Sequence, residues 1–129
     1  MIDSISSRWL RVAGLVGAVG VALGAFGAHG LKERLSADLL EVYRTGVQYH
    51  LLHAVVLLAV VLGHHQIRWS QLVRWLLLTG IFIFSGTLYA LALSGQRWLG
   101  AITPIGGLAF IAAWATLFVG GTGAQTRAP

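Results

Sequence analysis

Apolar residues in this chain gather in four long runs, about 12–28, 47–62, 75–93 and 99–119, none of which holds a charged residue. A hydrocarbon layer about 30 Å thick takes about 20 mostly apolar residues to cross as a helix. A soluble domain of 129 residues has nowhere to hide four such helices. The pattern predicts an all-α integral membrane four-helix bundle, one domain over 1–129 with spans at about 10–28, 47–63, 73–93 and 99–120.

The second helix is predicted to be longer than its apolar run. Ser36 stands where an N-cap belongs, and Asp38 suits the positive end of the helix dipole. From Ala37 the spacing is helical and amphipathic, with Leu39, Leu40, Val42, Tyr43 and Val47 set against Asp38, Glu41, Arg44 and Gln48. Gly46 is the sole breaker before the apolar run, so one helix over 37–62 is expected, long and partly amphipathic. Thr103-Pro104 reads as an N-cap followed by a first-turn proline, which makes 98–102 a kinked or interfacial lead-in to the fourth span. Met1–Ser7 reads as a polar lead and 120–129 as a flexible tail. Trp9, Trp69, Trp75 and Trp98 fall at span ends, the aromatic-belt position; Trp114 lies inside a span and calls for a packing partner.

Glycines in the first span stand at 14, 17, 20, 24, 27 and 30. Small residues let helix backbones approach in lipid. The expectation is a single glycine face, which would make span 1 the most tightly packed helix, inside the bundle or against a second copy. Gly14, Gly17, Gly20, Gly24 and Gly27, with Gly106 and Gly107 in the fourth span, are the predicted packing positions. The run is not a dinucleotide fingerprint, because no strand precedes it.

Composition sharpens the class. Residues are 57% hydrophobic and 10% charged, against about 25% charged in soluble domains. The net charge of +5 reads as a topology signal rather than nucleic-acid binding, since the basic residues form no patch. Arg8, Arg11, Arg68, Arg74 and Arg127 fall on one side of the membrane, and Lys32, Arg34, Arg44 and Arg97 on the other. The bias places both termini in the cytoplasm. Absence of cysteine excludes disulfides, thiolate metal sites and Cys nucleophiles. Arg8 and Arg11 mimic the basic start of a signal peptide, but the first apolar run is longer than such segments, and a retained helix is expected.

Four segments then read together. Gly24-Ala25-Phe26-Gly27-Ala28-His29-Gly30-Leu31 closes span 1. Thr45-Gly46-Val47-Gln48-Tyr49, with His53, opens span 2. Phe84-Ser85-Gly86-Thr87-Leu88-Tyr89-Ala90-Leu91-Ala92-Leu93-Ser94 ends span 3, and Thr103-Pro104-Ile105-Gly106-Gly107 opens span 4, with Phe110 and Trp114 following. Over nearly its whole length the chain resembles the small four-span family catalogued as domain of unknown function 423, which has bacterial inner-membrane and eukaryotic members. His50 stands where that pattern has Gln, and Ala113 where it has Gly. The resemblance implies class and location, a bacterial-type inner membrane, and picks out His29, Thr45, Tyr49, His53, Ser85, Tyr89 and Thr103 as its polar positions. It implies no activity.

Polar groups inside lipid are costly, and each needs an account. His53 is the deepest ionisable side chain, with Tyr49 and His50 expected on the same helix face. His29 ends span 1 on the same membrane side and is expected to reach Tyr49 or His53. A metal, haem or proton-handling site of His29, His50 and His53 is the functional reading. Against it stands a buried histidine that locks two helices together, which is preferred. His64-His65 lies on a loop, where adjacent side chains diverge, and reads as solvated. Ser85 and Thr87 are expected to bond backbone or a neighbouring helix. No catalytic residue, metal or cofactor is assigned.

The preferred reading is therefore a structural or accessory membrane component whose partners are the bilayer and a second copy or larger membrane complex. A small oligomeric transporter or channel is the alternative. Asp3, Glu33, Asp38 and Glu41 all lie outside the apolar core, which argues against carboxylate-coupled transport, although His53 stands in a position to substitute. A haem or metal module is the third reading.

Overall fold

The computed structural model describes residues 3–123. Arg127 and the tail beyond 123 lie outside them, as do the first two residues of the polar lead. Four helices among the described residues are long and apolar enough to cross a membrane. They are span 1 (Ser4–Leu31), span 2 (Ala37–Leu62), span 3 (Ser70–Ser94) and span 4 (Arg97–Gly120). The chain is an all-α four-helix bundle.

Each helix outruns its apolar core because local chemistry holds its ends. Span 1 starts at Ser4, inside the expected polar lead, since the Asp3 carboxylate accepts from the Ser6 backbone N–H at 2.7 Å. Its last residues, Gly27–Leu31, form a π-turn. Ser36 has the extended backbone of an N-cap, but its hydroxyl donates to Asp38 Oδ1 at 2.6 Å rather than serving a free N–H. Gly95 closes span 3 at φ 71°, where a side chain would be strained. A 3-10 turn, Arg97–Ala101, leads into span 4. Thr103 is already helical, contrary to its expected capping role. Its hydroxyl has better partners, Thr87 Oγ1 at 2.7 Å and the Leu99 carbonyl at 3.3 Å.

Span 2 packs against spans 1 and 3, and span 3 against span 4. One core cluster joins Ala13, Leu57, Val60, Val61, Val73, Leu77 and Ala113; a second, at the other end, joins Leu31, Leu40, Tyr43 and Ala92. Within the single chain span 1 is the least buried helix, so of the two expected packings the one inside the bundle is not met. The two helices part along this stretch, leaving an open groove lined by Gly14 and Gly17 of span 1 and Leu51, Ala54 and Leu58 of span 2. Gly20, Gly24 and Gly27 meet span 2, whereas Gly14 and Gly17 have nothing within 4 Å of where a Cβ would stand.

Candidate functional site

The polar side chains at membrane depth gather where span 2 meets its neighbours. His53 is 2% exposed. Its Nδ1 lies 2.8 Å from the Tyr49 carbonyl one turn back, which places the ring proton on Nδ1. The bare Nε2 then accepts from Trp114 Nε1 at 3.2 Å. Trp114, the in-span tryptophan, thereby has its partner. The imidazole also lies flat on Phe110, with centroids 3.7 Å apart, and Tyr49 stacks alongside at 5.9 Å.

His50 points elsewhere. Its Nε2 lies 2.8 Å from the Val16 carbonyl of span 1, and its Nδ1 lies 2.8 Å from the Tyr89 hydroxyl of span 3. A carbonyl can only accept, so Nε2 carries the proton and Nδ1 accepts from Tyr89. The two buried histidines therefore hold opposite tautomers. At 100° per residue, positions 50 and 53 differ by about 60°, enough to give them different neighbours. They do not form one site.

His29 joins neither. It is exposed within the π-turn. The antiparallel register of spans 1 and 2 runs Gly20 against His50 and Gly27 against Tyr43. His29 is thus level with the start of span 2, more than about 15 Å from His53 at 1.5 Å per residue. The expected approach of His29 to Tyr49 or His53 does not occur.

Several further hydroxyls are tied off in the same manner. Ser85 closes a π-turn, Ile81–Ser85, and donates to the Gly46 carbonyl of span 2 at 2.7 Å. The π-turn shifts its register so that this hydroxyl faces span 2. Thr87 bonds the Ile83 carbonyl at 2.6 Å and links to Thr103. Tyr43 donates to the Leu23 carbonyl of span 1 at 2.5 Å. Thr45, near the exposed start of span 2, donates to the Glu41 carbonyl at 3.0 Å.

Glycines make these contacts possible. A Cβ on Gly106 would meet the Phe84 backbone, its Cα at 2.8 Å. Gly107 has only ring atoms at 3.8 Å. Two glycines that the sequence reading did not single out for packing are as tightly placed. Gly46 faces the Tyr89 ring at 2.9 Å, and Gly80 faces the Phe110 ring that supports His53. Gly46 stood out as a helix breaker and as part of the Thr45–Tyr49 segment, not as a packing position; nothing in the sequence marked Gly80.

At the membrane face that carries the N-terminus, the 63–69 loop folds back toward span 1. His64 and His65 do not diverge: their ring centroids lie 3.7 Å apart. A turn, with Gln66 and Ile67 N–H groups both on the Gly63 carbonyl, brings them together. Arg74, counted in the sequence only for topology, is 4% exposed and lies over the Trp9 ring at 4.9 Å. Its Nε donates to the Ser70 carbonyl at 3.3 Å, while Nη1 is buried with no partner among the described residues.

Comparison with known proteins agrees with this architecture. The chain is 45% identical to the UPF0382 membrane protein YwdK of Bacillus subtilis, over 77% of this chain and 83% of that protein. It is 39% identical to the UPF0382 inner membrane protein YgdD of Escherichia coli K12, over 90% and 91% respectively. A UPF0382 membrane protein of Haemophilus influenzae is 40% identical over 90% and 94%. No solved structure matches the chain. The profile of the family described as "Protein of unknown function (DUF423)" matches residues 23–107, which take in His50, His53, Ser85, Tyr89 and Thr103. With four apolar helices and these relatives, the chain is a multi-pass bacterial inner-membrane protein that belongs to the DUF423 family.

Proposed function

We propose that the protein is a structural or accessory component of the membrane that works by helix contact rather than by chemistry. The observation that carries this reading is the use of its membrane-depth polar groups. Both ring nitrogens of His50 and of His53, and the hydroxyls of Ser85 and Thr87, are spent on neighbouring helices or backbone. A proton relay needs a group that exchanges partners, and a group held from both sides is a fastener. The groove between spans 1 and 2, about 670 Å³, is lined by apolar and small residues such as Leu10, Gly17, Val21 and Leu58, which offer an ion no ligand. The partners of such a role are the bilayer and a second copy or a larger membrane complex. With it goes an orientation that leaves both termini in the cytoplasm.

The test is proton flux in proteoliposomes loaded with a pH-sensitive dye, comparing the protein with empty vesicles and with His53→Asn. The expected result is flux equal to that of empty vesicles for both proteins, with a lower melting temperature for the variant. A pH-dependent flux that disappears in folded His53→Asn overturns the proposal in favour of a transporter.

A further inference from the structure

We infer that Asp3, His64 and His65 form a binding site for one late first-row divalent cation, with zinc as its probe, at the membrane face where span 1 begins. The ligand atoms of the three residues all lie within 4.8 Å of one another. Zinc bonds of 2.0–2.1 Å at tetrahedral angles place ligand atoms about 3.3 Å apart. His64 Nε2 and Asp3 Oδ2 stand at 3.5 Å, close to that spacing before any adjustment. His65 is exposed, with its ring already beside that of His64, so a side-chain rotation completes the approach.

Proximity is supported by how the two inner ligands are held. The Nδ1 of His64 lies 2.9 Å from the Val61 carbonyl, which can only accept. A proton therefore sits on Nδ1, and Nε2 is the nitrogen nearest the Asp3 carboxylate. An imidazole oriented by a backbone carbonyl on its far nitrogen is the usual support of a metal-binding histidine. Asp3 is oriented likewise: Oδ1 accepts from the Ser6 backbone N–H, and Oδ2 is the oxygen turned to His64. The Ser6 hydroxyl, now 2.9 Å from His64 Nε2, is the group a cation would displace. It lies beside both ligands, where it can bond a metal-bound water in the fourth position.

Two imidazoles and one carboxylate suit zinc, copper or nickel better than calcium or magnesium, which prefer oxygen. Asp3 is ionised at neutral pH, its pKa lowered to about 2, chiefly by the Ser6 backbone N–H. Arg74 lies within electrostatic reach of Asp3 and moderates the attraction for a cation. The three ligands come from the start of span 1 and the turn between spans 2 and 3. A bound ion therefore staples the least buried helix to the rest of the bundle. This site is separate from the buried histidines and stands whether or not the bundle transports.

The experiment uses the full chain without a polyhistidine tag, in detergent, stripped with chelator and titrated with zinc by calorimetry, with melting followed on the same samples. One zinc per chain is expected, with a rise in melting temperature. Affinity should fall by about tenfold or more in His64→Gln, His65→Ala and Asp3→Asn, and stay unchanged in His29→Ala. If His64→Gln unfolds, exposed His65 decides. No saturable zinc uptake, or uptake that His65→Ala leaves unchanged, or an equal loss in His29→Ala, overturns the site.

Discussion

His50 and His53 show how one residue type, three positions apart in a single helix, does two jobs. His50 bridges spans 1 and 3 through the Val16 carbonyl and Tyr89, while His53 receives the Trp114 indole of span 4. Together they let span 2 grip every other span. Hydrogen bonds between membrane helices contribute modestly, about 0.6 kcal/mol on average and 1.7 at most. Tyr89→Phe removes the donor to His50 Nδ1 and should destabilise the bundle by about 1 kcal/mol. Tyr49 makes no hydrogen bond with its own hydroxyl among the described residues, and its ring only packs against Phe84, Phe110 and His53. Tyr49→Phe should leave the melting temperature nearly unchanged. Detergent unfolding of the two variants side by side checks both statements. Equal effects would mean that the His50–Tyr89 bond contributes nothing.

Between elements, contact is set by which glycines face which helix. Gly106 opposes backbone of the Phe84 turn, and backbone cannot rotate away as a side-chain tip can. Gly106→Ala should therefore force spans 3 and 4 apart, at a cost of about 1–3 kcal/mol or more. Gly17→Ala meets nothing within 4 Å. There the substitution should stabilise span 1 by up to about 1 kcal/mol through helix propensity alone. Melting temperatures of the two variants decide: the ranking Gly106 far worse than Gly17 is expected. Marked destabilisation at Gly17 would instead mean that a second chain occupies the open groove, since the single chain leaves that position free.

For the whole molecule, the two membrane faces are fastened differently. At one, an exposed Arg97–Asp38 pair at 3.0 Å ties span 4 to the start of span 2; solvent screens such pairs, and little stability is expected of it. At the other, Asp3 caps span 1 and faces His64 at 3.5 Å. Its folded pKa, about 2, is below the ordinary 3.8. A carboxylate with a depressed folded pKa contributes stability that is fully present above its unfolded value and is lost as pH falls through the folded one. His64, when charged, also favours the ionised carboxylate, so it works in the same sense. The Asp3 contribution should thus fade as pH falls from about 4 to about 2. Comparing the melting temperatures of the protein and Asp3→Ala across that range reads it directly: the difference should shrink on acidification. A difference that grows would contradict the capping geometry.

Class, span number and the long second helix were legible in the sequence, because lipid enforces them residue by residue. A run of about 20 apolar residues without charge has few other homes, and the amphipathic onset of span 2 shows in its local spacing. Tyr89, Ser85 and Thr103 were visible as polar residues that needed partners, but their partners were not. Those partners depend on register between helices and on small rotations. The roughly 60° between positions 50 and 53 gave different neighbours to histidines expected on one helix face. The glycine stripe was legible, yet only its later part, Gly20, Gly24 and Gly27, meets span 2, because the helices part beside Gly14 and Gly17. Thr103 had the identity of a cap and was drawn instead to Thr87, a choice made by a helix 16 residues away. His64 and His65 looked like loop residues; the turn at Gly63 and the Asp3 cap brought three candidate ligands to one point. The sequence by itself determined where this chain lives and how many times it crosses. Which polar groups meet was decided by tertiary structure, because a hydrogen bond is fixed by distances of a few ångströms between segments far apart along the chain.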